Sequence, residues 1–276
     1  MNSISSNTLQ VGDNANNKVS SKIRVAIFVL IVLQFYLYPL IPSVSGKDPN
    51  RYADNMYFYA MSSYTVIVLG IMIMRSYKIG MFSDHFTLGI ILVSLFLHPT
   101  LGGDYGLIYQ TYMKFLGILL SIYIIANRKS IVIPSLKSVA VGLLWSASTV
   151  IILSLLYVFF SPLRGSLPSN LLNYIIEMSV FQLSFVTVIE EICFRGLIFG
   201  FMVMNGYKEN TALFIQAILF WGIHYMDIAN PVLFFGIVPL FTLSATLITK
   251  KYKMLFMSIV MHTLLNVFAR VFIAMF

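Results

Sequence analysis

Apolar runs of about 20 residues, separated by short polar or proline-containing clusters, recur along most of this 276-residue chain. A helix of that length crosses the roughly 30 Å hydrocarbon core of a bilayer. Hydrophobic residues make up 59% of the chain and charged residues only 10%, against about 45–50% and about 25% in soluble domains. A water-soluble globule is therefore excluded, and the short alternating segments of a membrane β-barrel are absent from the sequence. We predict an all-α, polytopic bundle of transmembrane helices in the cell membrane.

Nine apolar stretches are candidate spans, and we expect about eight or nine transmembrane helices. The third stretch is short and is interrupted by His98, which we interpret as a loop or interface residue, while the sixth is longer than one crossing requires. Residues 1–22 are polar and predict a disordered tail. The nine stretches cover residues 23–44, 56–74, 86–101, 106–126, 139–160, 172–204, 211–225, 232–249 and 254–276.

Basic residues are distributed unevenly between the two ends of these spans. In the nine-span arrangement about 12 Lys and Arg lie on one side, and only Lys47, Arg51 and Arg164 lie on the other. Loops rich in Lys and Arg stay on the cytoplasmic side of a membrane, so the N-terminus is predicted to be cytoplasmic. The formal net charge of +8 is spread over these short loops and does not indicate a nucleic-acid partner.

Three late spans carry side chains that are costly to bury in a bilayer and that mark a functional site by default. Measured at about 1.5 Å per residue, the polar side chains lie roughly 12 to 21 Å from the cytoplasmic ends of their spans. Three helices therefore present polar groups at a similar level. In chain order these groups are Glu190, Glu191 and Arg195 in the sixth span, His224 in the seventh, and His262 and Asn266 in the ninth.

Helical spacing separates the two neighbouring glutamates. Glu191 and Arg195 are four residues apart, so they can form an ion pair on one face of the helix. Glu190 lies about 100° around the helix axis and is left outside that pair. We therefore predict a supporting role for Glu191 and Arg195, and a chemical role for Glu190.

Peptide hydrolysis would use the remaining polar groups. A carboxylate such as Glu190, together with His224, can hold and deprotonate a water molecule. His262 and Asn266, also four residues apart, can donate hydrogen bonds to the tetrahedral oxyanion. Phe220 lies one turn before His224, where its ring can form one wall of a pocket.

A second version of this chemistry replaces the bare water with a zinc-bound one. Its ligands would be Glu190, His224 and His262. The His-Glu-x-x-His signature of soluble metallopeptidases is absent from the sequence, and the single cysteine excludes a multi-cysteine zinc site. We therefore favour catalysis without a cofactor and keep zinc as the alternative.

The three polar clusters resemble the motifs of one protein family. Three motifs occur in order on successive late helices. They are Glu-Glu-x-x-x-Arg from Glu190 to Arg195, Phe-x-x-x-His from Phe220 to His224, and His-x-x-x-Asn from His262 to Asn266. This pattern resembles the CPBP family, which comprises type II CAAX-prenyl endopeptidases and bacteriocin-processing or Abi proteins. The resemblance implies an intramembrane endopeptidase in which Glu190 and His224 activate water and His262 and Asn266 form the oxyanion hole.

The resemblance also implies a division of the chain. Residues 23–165 would be N-terminal transmembrane helices, and residues 166–276 a CPBP-like catalytic core. The substrate would be a peptide or membrane-protein segment, such as a leader, a pheromone, a bacteriocin or a CAAX-type protein, and a two-component sensor or bacteriocin system is a possible partner. Two alternatives remain. One is a non-catalytic immunity factor or sensor-kinase modulator that keeps the protease fold. The other is a proton-coupled transporter, but the hydropathy pattern shows no inverted repeat, which argues against it.

Overall fold

The computed structural model describes residues 21–37, 49–76, 84–101, 106–160 and 168–275. Within these ranges the chain is helical apart from short turns and caps and one isolated bridge between Asp84 and Val132. Helices suit an apolar chain in lipid, because every helix pairs its backbone N–H and C=O groups within its own segment. The predicted all-α class is confirmed, whereas residues 1–20 of the predicted tail lie outside the described residues.

Each of the nine predicted stretches coincides with a helix or with a run of consecutive helical segments. The most extensive difference is at the first stretch, where residues 38–44 lie outside the described part of the chain. The α-helices are α1 Ser21–Leu37, α2 Pro49–Ser76, α3 His85–Leu101, α4 Leu107–Ala126, α5 Leu136–Phe160, α6 Leu171–Phe181, α7 Thr187–Glu191, α8 Phe199–Met204, α9 Glu209–Ile223, α10 Val238–Tyr252 and α11 Leu255–Met275.

Among the described residues, five helical segments are long and apolar enough to cross a membrane. Two shorter apolar helices, His85–His98 and Leu255–Ala269, accompany them. The total of eight or nine spans and the cytoplasmic N-terminus stay predictions. The five segments are Tyr57–Met74, Leu107–Ala126, Leu136–Phe160, Glu209–Ala229 and Val232–Tyr252.

The sixth predicted stretch forms one continuous helix over residues 171–204, which we call the long helix. Its α6, α7 and α8 parts are joined by two π-helical segments, Gln182–Val186 and Ile192–Ile198. Short π segments interrupt the regular hydrogen-bond ladder and frequently occur at functional sites. The long helix is therefore irregular on both sides of α7, the segment that ends at Glu191.

Side chains bond to carbonyl groups of the first π segment. Thr187 Oγ1 donates to the Gln182 carbonyl at 2.8 Å, and Tyr64 of α2 donates its hydroxyl proton to the Ser184 carbonyl at 2.6 Å. Tyr64 is completely buried. Both bonds give polar backbone atoms partners away from water, and the bond from Tyr64 fixes the long helix against α2.

Helix α11 packs between α5, α10 and the long helix. The approach of α5 and α11 is close at Gly142, where a Cβ atom would lie 2.7 Å from Met257 Sδ. One turn along α5, Ser146 Oγ donates to the Met257 carbonyl at 3.3 Å. A small residue and a short hydroxyl therefore hold α11, which carries His262 and Asn266, in a defined register.

The interpretation of His98 as a loop or interface residue is wrong. His98 lies within α3, is 3% exposed, and stacks on Phe185 of the long helix with ring centroids 4.6 Å apart. An aromatic partner on a neighbouring helix makes this ring part of the packed interior. The sequence alone gave no sign of the partner.

The connection between α9 and α10 is also built from helical pieces, the 3₁₀ turn His224–Ala229 and the π segment Val232–Ile237. Trp221 Nε1 donates to the Phe234 carbonyl at 2.8 Å, which ties the end of α9 to the π segment. Asn230 Nδ2 donates to the Tyr157 hydroxyl of α5 at 2.8 Å. The connection that begins with His224 is thus anchored on two sides.

Candidate active site

Glu191 and Arg195 form the ion pair expected from their spacing. Arg195 Nη1 lies 2.6 Å from Glu191 Oε1, and the two side chains are 1% and 0% exposed. Burial of an ion pair is tolerated only when the charges are close and otherwise well bonded. Yet Glu191 Oε2 and the Nε and Nη2 atoms of Arg195 are buried without hydrogen-bond partners among the described residues.

Aromatic rings contact the part of the guanidinium that lacks hydrogen bonds. The Arg195 Cζ atom lies 4.2 Å from the centre of the Phe220 ring and 5.2 Å from that of Phe241. The faces of both rings attract a cation, and the attraction strengthens away from water. Phe220 therefore does more than form a pocket wall, because it also covers the buried positive charge.

His262 connects the ion pair with Glu190. Its Nδ1 lies 2.9 Å from Glu191 Oε1 and its Nε2 lies 3.7 Å from Glu190 Oε2. A carboxylate can only accept, so Nδ1 carries the proton in this contact. His262 therefore presents Nε2 toward Glu190, and this nitrogen donates only when the ring is an imidazolium.

His224 is oriented by its own helix. Its Nδ1 lies 2.9 Å from the Phe220 carbonyl oxygen, which can only accept a hydrogen bond. Nδ1 is therefore protonated, and in the neutral ring the lone pair lies on Nε2. The Phe-x-x-x-His spacing thus places an acceptor carbonyl one turn before the imidazole and selects its tautomer.

Asn266 has a partner that sequence reasoning missed. Its Nδ2 donates to Gln182 Oε1 at 3.0 Å, across the interface between α11 and the long helix. Gln182 is 5% exposed and begins the first π segment. His262 and Asn266 therefore bond to two different side chains of the long helix, Glu191 and Gln182.

One internal cavity of about 200 Å³ collects the predicted catalytic side chains. Glu190, His224, His262 and Asn266 all line it, and so does Phe220. Because one water molecule takes up roughly 30 Å³ in the liquid, the space admits several waters or part of a peptide. Glu190 is 19% exposed, in contrast with the sealed carboxylate of Glu191.

Among the other residues that line the cavity are an acidic and two aromatic side chains to which sequence reasoning gave no role, Asp227, Tyr157 and Phe241. Phe241 also contacts His262, with ring centroids 4.6 Å apart. An acidic residue three positions after His224 was a visible signal for Asp227. Tyr157 and Phe241 stand among many aromatic residues of apolar spans, so no signal in a single sequence distinguishes them.

The donor set does not fit a metal ion as the side chains are placed. In the described part of the chain, no group of three His, Cys, Asp or Glu side chains is arranged to hold one. A catalytic zinc needs three protein ligands within about 2.0–2.2 Å for nitrogen and oxygen. We therefore derive no step through a metal.

Comparison with known proteins adds one finding. Residues 171–268 match the family model described as "Type II CAAX prenyl endopeptidase Rce1-like". No curated protein and no solved structure matches the chain. The match includes all three motifs and confirms the resemblance predicted from them. Together with the long apolar helices, it supports a membrane protein in which residues 171–268 are similar to the family of type II CAAX prenyl endopeptidases.

Proposed function

We propose that this protein is an intramembrane endopeptidase that hydrolyses a peptide bond of a peptide or membrane-protein substrate. The observation that carries the proposal is the single cavity lined by Glu190, His224, His262 and Asn266. These side chains come from three segments far apart in sequence. Polar and ionisable side chains are costly to bury in an apolar bundle. A purely structural role would not explain why four of them line the same cavity.

In the proposed reaction Glu190 is the general base. Its carboxylate accepts a proton from a water molecule, whose oxygen attacks the carbonyl carbon of the scissile peptide. His224 Nε2 can accept the second hydrogen of the same water, because its Nδ1–H is engaged by the Phe220 carbonyl. The carbon–nitrogen bond then breaks, and the proton held by Glu190 passes to the departing amine.

The oxyanion would be stabilised by His262 and Asn266. Nε2 of His262 can donate to the oxyanion only in the imidazolium form, in which Nδ1 and Nε2 face the carboxylates of Glu191 and Glu190. Asn266 Nδ2 has two hydrogens, so one can bond to Gln182 and the other to the oxyanion. Gln182 would fix the direction of the amide.

The test compares the peptides released by cells that express the native chain or its Glu190→Gln form at equal levels. The matched control is Glu177→Gln, which makes the same change on an exposed side chain of the same long helix. We expect a set of peptides in membranes or medium that appears with the native and control chains and is lost with Glu190→Gln. Identical peptide profiles from all three chains would refute the proposal.

A non-catalytic role makes the opposite prediction for the same variant. If the protein is a partner of a sensor or bacteriocin system and works by binding, Glu190→Gln should complement a deletion as well as the native chain. If Glu190→Gln complements the deletion, and the native and Glu190→Gln chains release the same peptides, the protein is a binding protein with a protease fold.

A further inference from the structure

A second, larger cavity lies outside the catalytic site, in a groove between α9 and α10. Its volume is about 550 Å³, and its lining is mostly apolar, with Asn210 and Lys250 at one end and two threonines, Thr242 and Thr246, along α10. Phe214, Ala217 and Ile218 form its α9 side, and Leu243 and Leu247 form much of its α10 side. None of these residues lines the catalytic cavity. The groove therefore needs an explanation of its own.

The ends of the groove differ in chemistry. Asn210 and Lys250 lie at one end, and Trp221 and Pro239 lie toward the other. Because α9 and α10 run in opposite directions, the start of α9 and the end of α10 meet at the polar end. A hydrogen bond of 2.6 Å from Lys250 Nζ to Asn210 Oδ1 closes that end.

The charge of Lys250 is not balanced by this contact. Its partner Asn210 is a neutral amide, whereas the nearby Lys253 is paired with the carboxylate of Glu209. Lys208 and Lys251 add further positive charge around the same end of the two helices. An anionic group at the mouth of the groove would complement this charge.

The length of the groove matches one leaflet of a bilayer. From Pro239 to Lys250 helix α10 rises about 17 Å, close to half of the roughly 30 Å hydrocarbon core. A lipid with its headgroup at Lys250 could therefore place one acyl chain along the groove as far as Trp221. A lining that is mostly apolar over this distance suits a hydrocarbon chain better than a peptide, whose whole backbone would need polar partners.

We propose that the groove between α9 and α10 binds an anionic phospholipid of the surrounding bilayer, with the headgroup at Lys250 and one acyl chain along Ala217 and Leu243. This site is independent of the proposed peptidase activity. It shares the α9–α10 pair with the catalytic cavity, however, since Trp221 and Thr242 of the groove directly follow Phe220 and Phe241 of the cavity.

The experiment measures lipid retention by the purified full-length chain in detergent. Phosphatidylglycerol and phosphatidylcholine with identical acyl chains are added separately, and bound lipid is counted by native mass spectrometry. Two variants test the two parts of the site: Lys250→Gln removes the charge, and Ala217→Phe fills the groove. Their controls are Lys129→Gln and Ala140→Phe, which make the same changes on exposed side chains away from the groove.

We expect the native chain to bind phosphatidylglycerol about fivefold more tightly than phosphatidylcholine, the effect of roughly one lysine near an anionic headgroup. Lys250→Gln should abolish this preference, and Ala217→Phe should reduce the retention of both lipids, while the controls behave as the native chain. Thermal stability of each variant, measured without added lipid, shows whether it is folded. If Ala217→Phe does not fold, the binding of the two lipids by the native chain and by Lys250→Gln still tests the proposal.

Two results would overturn the proposal. One is equal binding of the two lipids by the native chain, with no effect of Lys250→Gln. The other is a second copy of this chain in the groove, which would appear as a dimer of the native protein that Ala217→Phe converts to a monomer without any change in lipid retention.

Discussion

Glu190 and Glu191 are neighbours in the sequence and lie in two different regions of the molecule. Glu190 is 19% exposed and lines the proposed catalytic cavity, with a histidine nitrogen 3.7 Å away. Glu191 is completely buried and bonds to Arg195 and His262 at 2.6 and 2.9 Å. Access to water and the distance of the nearest cation, rather than residue type, therefore distinguish a reactive carboxylate from a structural one.

The largest expected effect concerns the sealed region around Glu191. Arg195→Met should leave a buried carboxylate without its cation, at a cost of about 3–5 kcal/mol in folding free energy. We expect a large fall in thermal stability and in the yield of folded protein. The matched control is Arg128→Met, an exposed arginine between α4 and α5. Equal melting temperatures for the two variants would contradict a structural role for the pair.

The open region around Glu190 should respond in activity instead. His224→Ala removes the imidazole that faces the cavity, and we expect cleavage to fall by about 100-fold. Stability should change little, because the bond from His224 Nδ1 goes to a carbonyl of its own helix. The change is compared with His85→Ala at the start of α3, using initial cleavage rates and thermal melting. If the loss of folded protein accounts for the whole loss of activity, His224 does not take part in the reaction.

A smaller effect is expected at the hydrogen bond between Gln182 of the first π segment and Asn266 of α11. Gln182→Met keeps the size of the side chain but removes the acceptor for Asn266 Nδ2. Loss of one such bond is worth about 1 kcal/mol, so kcat should fall about fivefold while KM is unchanged. Gln182→Glu, which retains an acceptor oxygen, should be less affected.

A double-mutant cycle sharpens this prediction. In an Asn266→Ala background, Gln182→Met should have no further effect on kcat, because the amide that it positions is already absent. Additive losses would mean that Gln182 acts on another part of the cavity or only on packing.

The smallest expected effect is that of metal removal. Because the described side chains form no three-ligand site, prolonged dialysis against a chelator should leave the cleavage rate unchanged. Loss of activity that zinc alone restores would instead favour the alternative with Glu190, His224 and His262 as ligands, and it would require these side chains to move closer together.

Much of the fold followed from the sequence, for a physical reason. Lipid forces apolar segments into helices, so the nine predicted stretches are helical over nearly all of their described residues. The Glu191–Arg195 pair followed from the spacing of four residues. The number of membrane crossings did not follow from the helices alone, since helices such as α3 are shorter than a full span.

The contacts between helices could not be predicted. His98 on Phe185 and Asn266 on Gln182 depend on which faces of distant helices meet, and a hydropathy pattern does not contain that information. The two π segments on either side of Glu190 were not predicted either, because a hydropathy pattern does not distinguish a π segment from a regular helix.

The most direct test of the central claim compares Glu190→Gln with Glu191→Gln in the same purified protein. Cleavage rate and thermal stability are measured together, on a peptide identified from the membrane comparison. If Glu190 is the general base and Glu191 a structural partner of Arg195, Glu190→Gln is folded with native stability and inactive, and Glu191→Gln melts at a clearly lower temperature. A Glu190→Gln protein that cleaves at the native rate would contradict the account.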